Sequence, residues 1–199
     1  MLKKIIACIV SGIILSFSVF ASASAENAFV EGCRAFSEGD WDSAEFALRK
    51  AVSYSENQNP DTYYMLITAE MNAGDEKSAL DDCVLYLKTF PGSIYYPRIQ
   101  YQYGKLLYQM GEYDKAIISL SDFCHQNEND ELYSYALFYV GESLLAGYKY
   151  NEAEKIYERI IVDFPDSPKV VASQYRLDTI LQHSREEKLL YLLRQTGEE

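Results

Sequence analysis

The sequence predicts an all-α fold of stacked helix pairs, and two observations lead to this fold class. An alanine recurs at intervals of 35, 37 and 37 residues, at Ala44, Ala79, Ala116 and Ala153. Twelve residues before it stands Gly32, Ile67, Gly104 or Gly141. Repeats of this length are typical of helix-turn-helix arrays, in which each unit covers the apolar face of its neighbour.

The end of the first helix in each unit is marked by a second glycine. Five residues before the alanine stands Gly39, Gly74 or Gly111, with Tyr148 as the exception. Because glycine readily adopts the left-handed conformation that closes a helix, we expect a sharp turn at this position. We expect an aromatic residue to pack between the two helices two positions later, at Trp41, Tyr113 and Tyr150, whereas the second unit has Glu76.

The second helix of each unit follows from an apolar stripe. Four and seven residues after the alanine the pairs are Leu48 and Ala51, Cys83 and Tyr86, Leu120 and Phe123, and Tyr157 and Ile160. This is helical spacing, and a small residue such as the alanine suits a point where two helices cross. Pro91 and Pro165 are expected to end two of these helices, since proline lacks a backbone donor and restricts the residue before it.

The pattern Gly-x-Tyr-x-x-Ala-x-x-x-Leu followed by Phe-Pro-x-Ser resembles the tetratricopeptide repeat (TPR) over residues 28–168. It is most similar to the bacterial envelope type, found in the periplasmic coordinator of the Tol-Pal system and in the TPR lipoprotein of outer-membrane assembly. The resemblance implies a right-handed superhelix of four full repeats and a partial C-terminal unit. The first and third units depart from it at Glu56 and Glu128, where the others have proline.

The resemblance divides the chain after residue 25 into units 26–59, 60–96, 97–133 and 134–168, followed by C-terminal capping helices and a tail over 169–199. In this last segment, apolar residues from Val170 to Ile180 predict one helix. The capping box Ser184-Arg185-Glu186-Glu187 predicts the start of another before Leu189. A terminal unit covers the last apolar face, although these leucines are also suited to joining another subunit.

The first 25 residues predict a cleaved secretory signal. Lys3 and Lys4 precede an apolar run over residues 5–20, and small residues follow as far as Ala25. The alternative is an anchor in the inner membrane formed by residues 5–21, because the run is close to the ~17–20 residues that span a bilayer. We expect a periplasmic or secreted protein that touches the membrane only if the signal is retained. Lipidation of Cys8 is disfavoured, because most of the apolar run follows it.

The charge of the chain disfavours two classes of partner. The chain has 18 basic and 30 acidic residues, a formal net charge of −12. Loss of Lys3 and Lys4 with the signal would leave 16 basic residues and a charge of −14. This balance disfavours nucleic acids and anionic lipid surfaces. The acidic residues are scattered, which predicts a solvated surface, with a basic partner as the alternative.

No cofactor, metal site or catalytic constellation is predicted. The two histidines, His125 and His183, are 58 residues apart and lack paired cysteine ligands. No carboxylate falls into a recognisable motif with a nucleophile, acid or base, so we do not expect an enzyme. Without Cys8 the chain keeps three cysteines with no Cys-x-x-Cys spacing, and we expect buried thiols at Cys33, Cys83 and Cys124.

A partner-binding groove is implied by the resemblance, because first helices line the concave face of TPR proteins. The residues expected to line it are Tyr64, Thr68, Met71, Arg98, Tyr101, Lys105, Tyr108, Phe138, Glu142 and Leu145. Tyrosine is favoured at binding surfaces, and further first-helix tyrosines include Tyr63, Tyr103, Tyr135 and Tyr139. For each tyrosine the alternative is packing between adjacent helices.

One known TPR ligand is not expected. Cytosolic TPR domains that bind acidic C-terminal tails hold the terminal carboxylate with Lys, Asn and Arg side chains. The matching positions here carry Phe29, Cys33, Met65, Arg98 and Gln102. A neutral or basic extended segment or helix is therefore the expected partner.

The sequence thus predicts a non-catalytic extracytoplasmic adaptor that binds envelope proteins or peptides through its concave face. The alternative is a self-assembling structural protein of the envelope, a homo-oligomer joined through its groove or its C-terminal helix.

Overall fold

The computed structural model describes residues 24–197. The predicted signal over residues 1–25 lies outside the described residues except for its last two, and so do Glu198 and Glu199. Within this range the chain is all-helical, which confirms the predicted fold class. The helices are α1 (24–38), α2 (Trp41–Val52), α3 (Pro60–Ala73), α4 (Glu76–Thr89), α5 (Tyr96–Gln109), α6 (Tyr113–Gln126), α7 (Tyr133–Ala146), α8 (Tyr150–Asp163) and α9 (Val170–Thr196), with a 3₁₀ turn at Ser55–Asn57.

The chain divides into two compact units, one ending at Tyr96 and the other beginning at Pro97. In the first unit α2 packs on α3 and α3 packs on α4. In the second unit α6 packs on α7, α7 on α8, and α8 on α9. Within each unit these contacts join helices that are neighbours in sequence, as a helical repeat requires.

The turns between paired helices have the predicted left-handed residue. Gly39, Gly74 and Gly111 have φ values of 72°, 88° and 78°. Tyr148, the exception in the sequence pattern, adopts φ 59° at the equivalent position. A tyrosine with positive φ carries a steric cost that glycine avoids, so the fourth repeat keeps the turn geometry without the residue best suited to it.

The glycine twelve residues before each alanine is explained by close helix packing. A Cβ atom on Gly32 would lie 2.7 Å from Leu48, one on Gly104 would lie 2.6 Å from Leu120, and one on Gly141 would lie 2.8 Å from Tyr157. In every case the opposing residue is sixteen positions later, so the glycine makes room for a large side chain. The second repeat reverses the sizes, with fully buried Ile67 and the smaller Cys83 at the equivalent positions.

The Phe-Pro-x-Ser motif ends the second helices as predicted, because α4 stops at Thr89 and α8 at Asp163. The serine of each motif then forms a hydrogen bond with a side chain of its own repeat. Ser93 Oγ lies 2.6 Å from the hydroxyl of Tyr86, and Ser167 Oγ donates to Ser134 Oγ at 2.8 Å.

The C-terminal segment corrects one expectation. We expected a second helix to begin at the capping box after Ser184, but α9 is one continuous helix of 27 residues. No glycine or proline interrupts Val170–Thr196. Side chains also bridge the expected break, since Gln182 Nε2 donates to Glu186 Oε1 at 3.0 Å. With good helix formers on both sides, Ser184 remains inside the helix. Between residues 24 and 197, no helix combines the length and hydrophobicity needed to cross a membrane.

Candidate functional site

An aromatic cluster in the second unit is centred on Tyr139 of α7. The centroid of its ring lies 5.3 Å from that of Tyr108, 5.9 Å from Phe138 and 6.3 Å from Tyr101. These separations are typical of tilted aromatic pairs, which contribute beyond the area they bury. The cluster joins α5 to α7 and brings together three residues that the sequence assigned to the groove.

Two lysine side chains lie over this cluster. The ammonium of Lys169, just before α9, is 4.6 Å from the Phe138 ring centroid, 5.3 Å from Tyr135 and 5.5 Å from Tyr139. Lys105 Nζ on α5 is 5.9 Å from the centroid of Tyr139. These are cation–π distances. We call Lys105, Lys169, Tyr135, Phe138 and Tyr139 the lysine–aromatic site.

The electrostatics of the site follow from partial burial. Desolvation lowers the pKa of Lys169, and the nearby positive charge of Lys105 lowers it further. Burial also raises the pKa of Tyr139, with a second contribution from the carboxylate of Glu142. Within residues 24–197 neither lysine has a salt-bridge partner, so the two positive charges are balanced only by the rings and by more distant groups.

Glu142 lies beside the cluster, and its carboxylate is fully occupied. Arg176 donates to it through both Nε, 2.7 Å from Oε1, and a terminal nitrogen, 2.6 Å from Oε2. The hydroxyl of Tyr157 also donates to Oε1 at 2.6 Å. The side chain is 7% exposed. This charge therefore ties α7 to α8 and α9 and has little capacity left for a partner.

The other predicted groove residues of the second unit differ in accessibility. Tyr101 and Phe138 are only 9% and 8% exposed, so packing between helices accounts for most of their surface. Lys105, Tyr108 and Leu145 are half-buried. Arg98 is exposed and donates to Glu131 at 2.7 Å.

The predicted residues of the first unit form a smaller arrangement on α3. Tyr64 stacks on Tyr95, with ring centroids 4.2 Å apart and planes inclined by 10°. The hydroxyl of Thr68 donates to the Tyr64 carbonyl at 2.7 Å, which satisfies it within the helix. Met71 is half-buried.

The first unit also contains a buried carboxyl cluster that the sequence did not indicate. Glu70 on α3 is fully buried and pairs with Arg49 of α2, which lies 3.3 Å from Asp82 of α4. Glu70 Oε2 has no hydrogen-bond donor among the described residues. Burial, followed by the charge of Asp82, raises the pKa of Glu70 to about 9. Burial therefore favours the protonated form of Glu70 over the carboxylate.

Three residues of the lysine–aromatic site are not among the groove residues predicted from the sequence. Tyr135 and Tyr139 are predicted only as further first-helix tyrosines, although Tyr139 lies next to Phe138. Lys169 lies beyond the four repeats, as does Arg176 beside the site, and the repeat register gives no alignment there. The rule that a buried glutamate requires a cationic partner would have indicated a residue like Arg176, but would not have identified it.

The cysteines and the other potential ligands form no site in the described part of the chain. Cys83 and Cys124 are buried free thiols, as expected, whereas Cys33 is only half-buried. Between residues 24 and 197, no group of three or more His, Cys, Asp or Glu side chains is placed to hold a metal ion.

Comparisons with known proteins agree with this architecture. The family model of the tetratricopeptide repeat matches residues 135–167. The crystal structure of MamA protein is similar over 89% of this chain and 93% of its own, with a TM-score of 0.68 and 18% identity. MamA from Desulfovibrio magneticus RS-1 is similar over 86% and 96%, with a TM-score of 0.62 and 18% identity.

PilF of Pseudomonas aeruginosa is also similar, over 83% of this chain and 71% of its own, with a TM-score of 0.61 and 19% identity. The comparison with curated proteins finds no match. At these identities the likeness shows the TPR fold alone.

Proposed function

We propose that this chain, which has the TPR fold, is a non-catalytic adaptor that binds a protein or peptide in the cell envelope. The lysine–aromatic site is the observation that supports a binding role most directly. It offers the partly exposed rings of Tyr135 and Tyr139, together with ammonium groups that lack a carboxylate partner within residues 24–197. Such a surface combines apolar area with donors, as protein-binding surfaces do.

The extracytoplasmic location is part of the same proposal. It rests on the sequence of residues 1–25, in which two lysines, an apolar run and small residues follow one another. A fusion of alkaline phosphatase to the C-terminus tests this location. Phosphatase activity in cells is expected for the full chain and is lost when residues 1–25 are removed; activity that persists without them would contradict the proposal.

Affinity capture from native cells tests the binding role. We compare the wild type with a Tyr108→Ala, Tyr135→Ala double variant, because both side chains are half-buried, Tyr108 beside Tyr139 and Tyr135 under Lys169. Phe46→Ala is the matched control, since Phe46 is an exposed aromatic residue of the first unit. The double variant should lose the captured protein while the control retains it, with unchanged helical circular dichroism in both. Equal capture by all three proteins would reject the assignment.

Self-assembly remains a second candidate because of one specific feature. The distal part of α9 exposes Leu189, Leu190 and Leu192, at 58%, 54% and 50%. Exposed apolar residues in such a group can mark an interface. Light scattering of the wild type and of a Leu189→Gln, Leu192→Gln variant tests it. A wild-type oligomer that dissociates in the variant supports self-assembly, and a wild-type monomer rejects it.

A further inference from the structure

We infer that the lysine–aromatic site recognises an acidic side chain within a segment of the protein partner. This inference rests on the proposed binding function and names the partner's chemistry at that site. It differs from the neutral or basic segment favoured by the sequence, because Lys169 lies outside the four repeats from which that expectation was drawn.

Lys105 and Lys169 differ from the other lysines of residues 24–197 in their burial. Both are half-buried over aromatic rings, whereas the remaining lysines of this range are exposed. An exposed lysine is hydrated whether it is paired, as Lys115 is with Glu112 at 3.0 Å, or has no salt bridge among the described residues, as is the case for Lys155. A half-buried ammonium group without a carboxylate partner has lost part of its hydration, so a carboxylate from a partner stabilises Lys105 and Lys169 more than it would an exposed lysine.

The one carboxylate beside the site is already neutralised. Both oxygens of Glu142 accept hydrogen bonds from Arg176. The charges around Tyr139 are therefore three cations and one anion, in a protein whose net charge is −12. Two ammonium groups over aromatic rings repel each other, and a carboxylate placed near both would relieve that repulsion while adding charge-assisted hydrogen bonds.

The source of the carboxylate is an internal side chain. The set of residues with which TPR domains hold a terminal carboxylate is missing, since Phe29, Cys33, Met65 and Gln102 occupy four of its positions. The aromatic rings of the site also favour an apolar or aromatic neighbour of the acidic residue. Because the chain as a whole is acidic, an acidic segment is repelled by most of the surface and attracted here.

A peptide titration tests the inference. The probe is fluorescein-labelled, C-amidated hexaglutamate, with hexaglutamine as its uncharged counterpart, and binding is followed by fluorescence anisotropy. Hexaglutamate should bind and hexaglutamine should not. Lys169→Met and Lys105→Met, which keep most of the aliphatic stem, should each weaken binding about fivefold. Lys155→Met is the matched control at an exposed position of α8 and should leave binding unchanged.

Each outcome has a defined meaning. Absence of hexaglutamate binding, or equal binding to the lysine variants and the wild type, overturns the inference. Stronger binding of a free C-terminal acid than of the amide would show terminal recognition and would also overturn it. In the capture experiment, a partner lost from the Tyr108→Ala, Tyr135→Ala variant but retained by a Lys105→Met, Lys169→Met variant would leave the proposed function standing and reject the acidic partner.

Discussion

The two units of the molecule each bury a glutamate, and they accommodate it in different ways. In the second unit Glu142 accepts hydrogen bonds from two guanidinium nitrogens of Arg176 and from the hydroxyl of Tyr157. In the first unit Glu70 shares Arg49 with Asp82 and leaves one oxygen without a donor among the described residues.

This difference shows that burial alone does not determine the protonation state of a carboxyl group. A bidentate arginine and a tyrosine donor stabilise an ionised carboxylate and make it a rigid link between helices. Where a second carboxylate competes for the same arginine, the folded state has a lower free energy when one of the two acids is protonated. The first unit therefore contains a buried carboxyl group whose protonation changes with pH, whereas the second contains an ion pair beside the lysine–aromatic site.

The largest effect on stability is expected when Arg176, the arginine partner of Glu142 in the second unit, is removed. Arg176→Ala would leave Glu142 buried without its main partner, and we expect the free energy of unfolding to fall by about 3 kcal/mol. Lys149→Ala removes an exposed ion pair of the same unit and should cost less than about 1 kcal/mol. Urea denaturation measures both. Similar losses for the two variants would show that the Glu142 pair is not a structural link.

A second test concerns the reversed packing of Ile67 and Cys83. Cys83→Leu should overpack the first unit and destabilise it by about 2 kcal/mol. Adding Ile67→Ala should recover part of this loss, because the double variant resembles the glycine–leucine arrangement of Gly104 and Leu120. The measurement is a double-mutant cycle of unfolding free energies. If the free-energy changes of the two substitutions are additive, Ile67 and Cys83 do not pack against each other as the repeat register implies.

The pH dependence of stability tests whether Glu70 of the first unit is protonated in the folded state. The pKa of Glu70 rises from 4.5 to about 9 on folding, so between these values the folded state holds a proton that the unfolded state has released. The contribution of Glu70 to stability is therefore full below pH 4.5 and falls as the pH rises towards 9, by at most about 1.4 kcal/mol per pH unit.

Glu70→Gln should remove this slope, so the variant gains stability relative to the wild type on going from pH 6 to pH 8. Urea denaturation at both pH values measures the gain, with Glu56→Gln as a control at an exposed carboxyl of the same unit. Parallel pH profiles for wild type and Glu70→Gln would mean that Glu70 is ionised in the folded protein.

The smallest change in unfolding free energy is expected for substitutions in the distal part of α9. The last buried residue of α9 is Ile180, and Leu189, Leu190 and Leu192 are exposed. Leu189→Gln should change the unfolding free energy by less than about 0.5 kcal/mol. Amide hydrogen exchange should be faster after Leu189 than before Ile180. Strong protection of the distal part would indicate that another copy or a partner covers it.

The repeat pattern was sufficient to predict the helices but not the site. Gly39, Gly111 and Pro165 are local signals, because a left-handed turn or a missing donor acts within a few residues, and the helix ends lie where they indicate. The continuity of α9 was missed because a capping box is only a weak preference when helix formers flank it.

The lysine–aromatic site was only half predictable. Lys105 and Phe138 follow from the repeat register, but Lys169 reaches the same rings from outside it. The pairings of Glu142 with Arg176, and of Glu70 with Arg49, join residues 34 and 21 positions apart. Pairings between residues this far apart in the sequence depend on how the helices pack, and no short motif in a single sequence encodes them.

The most direct test of the central claim compares equivalent positions of the two units by photo-crosslinking in native cells. A photoreactive phenylalanine replaces Tyr135 at the lysine–aromatic site, or Asp61, which precedes its repeat alanine by the same eighteen residues. We predict that position 135 yields a discrete crosslinked protein, that position 61 does not, and that Lys169→Met reduces the yield at 135. Equal crosslinking at both positions, or crosslinking at 61 alone, would contradict the assignment of binding to this site.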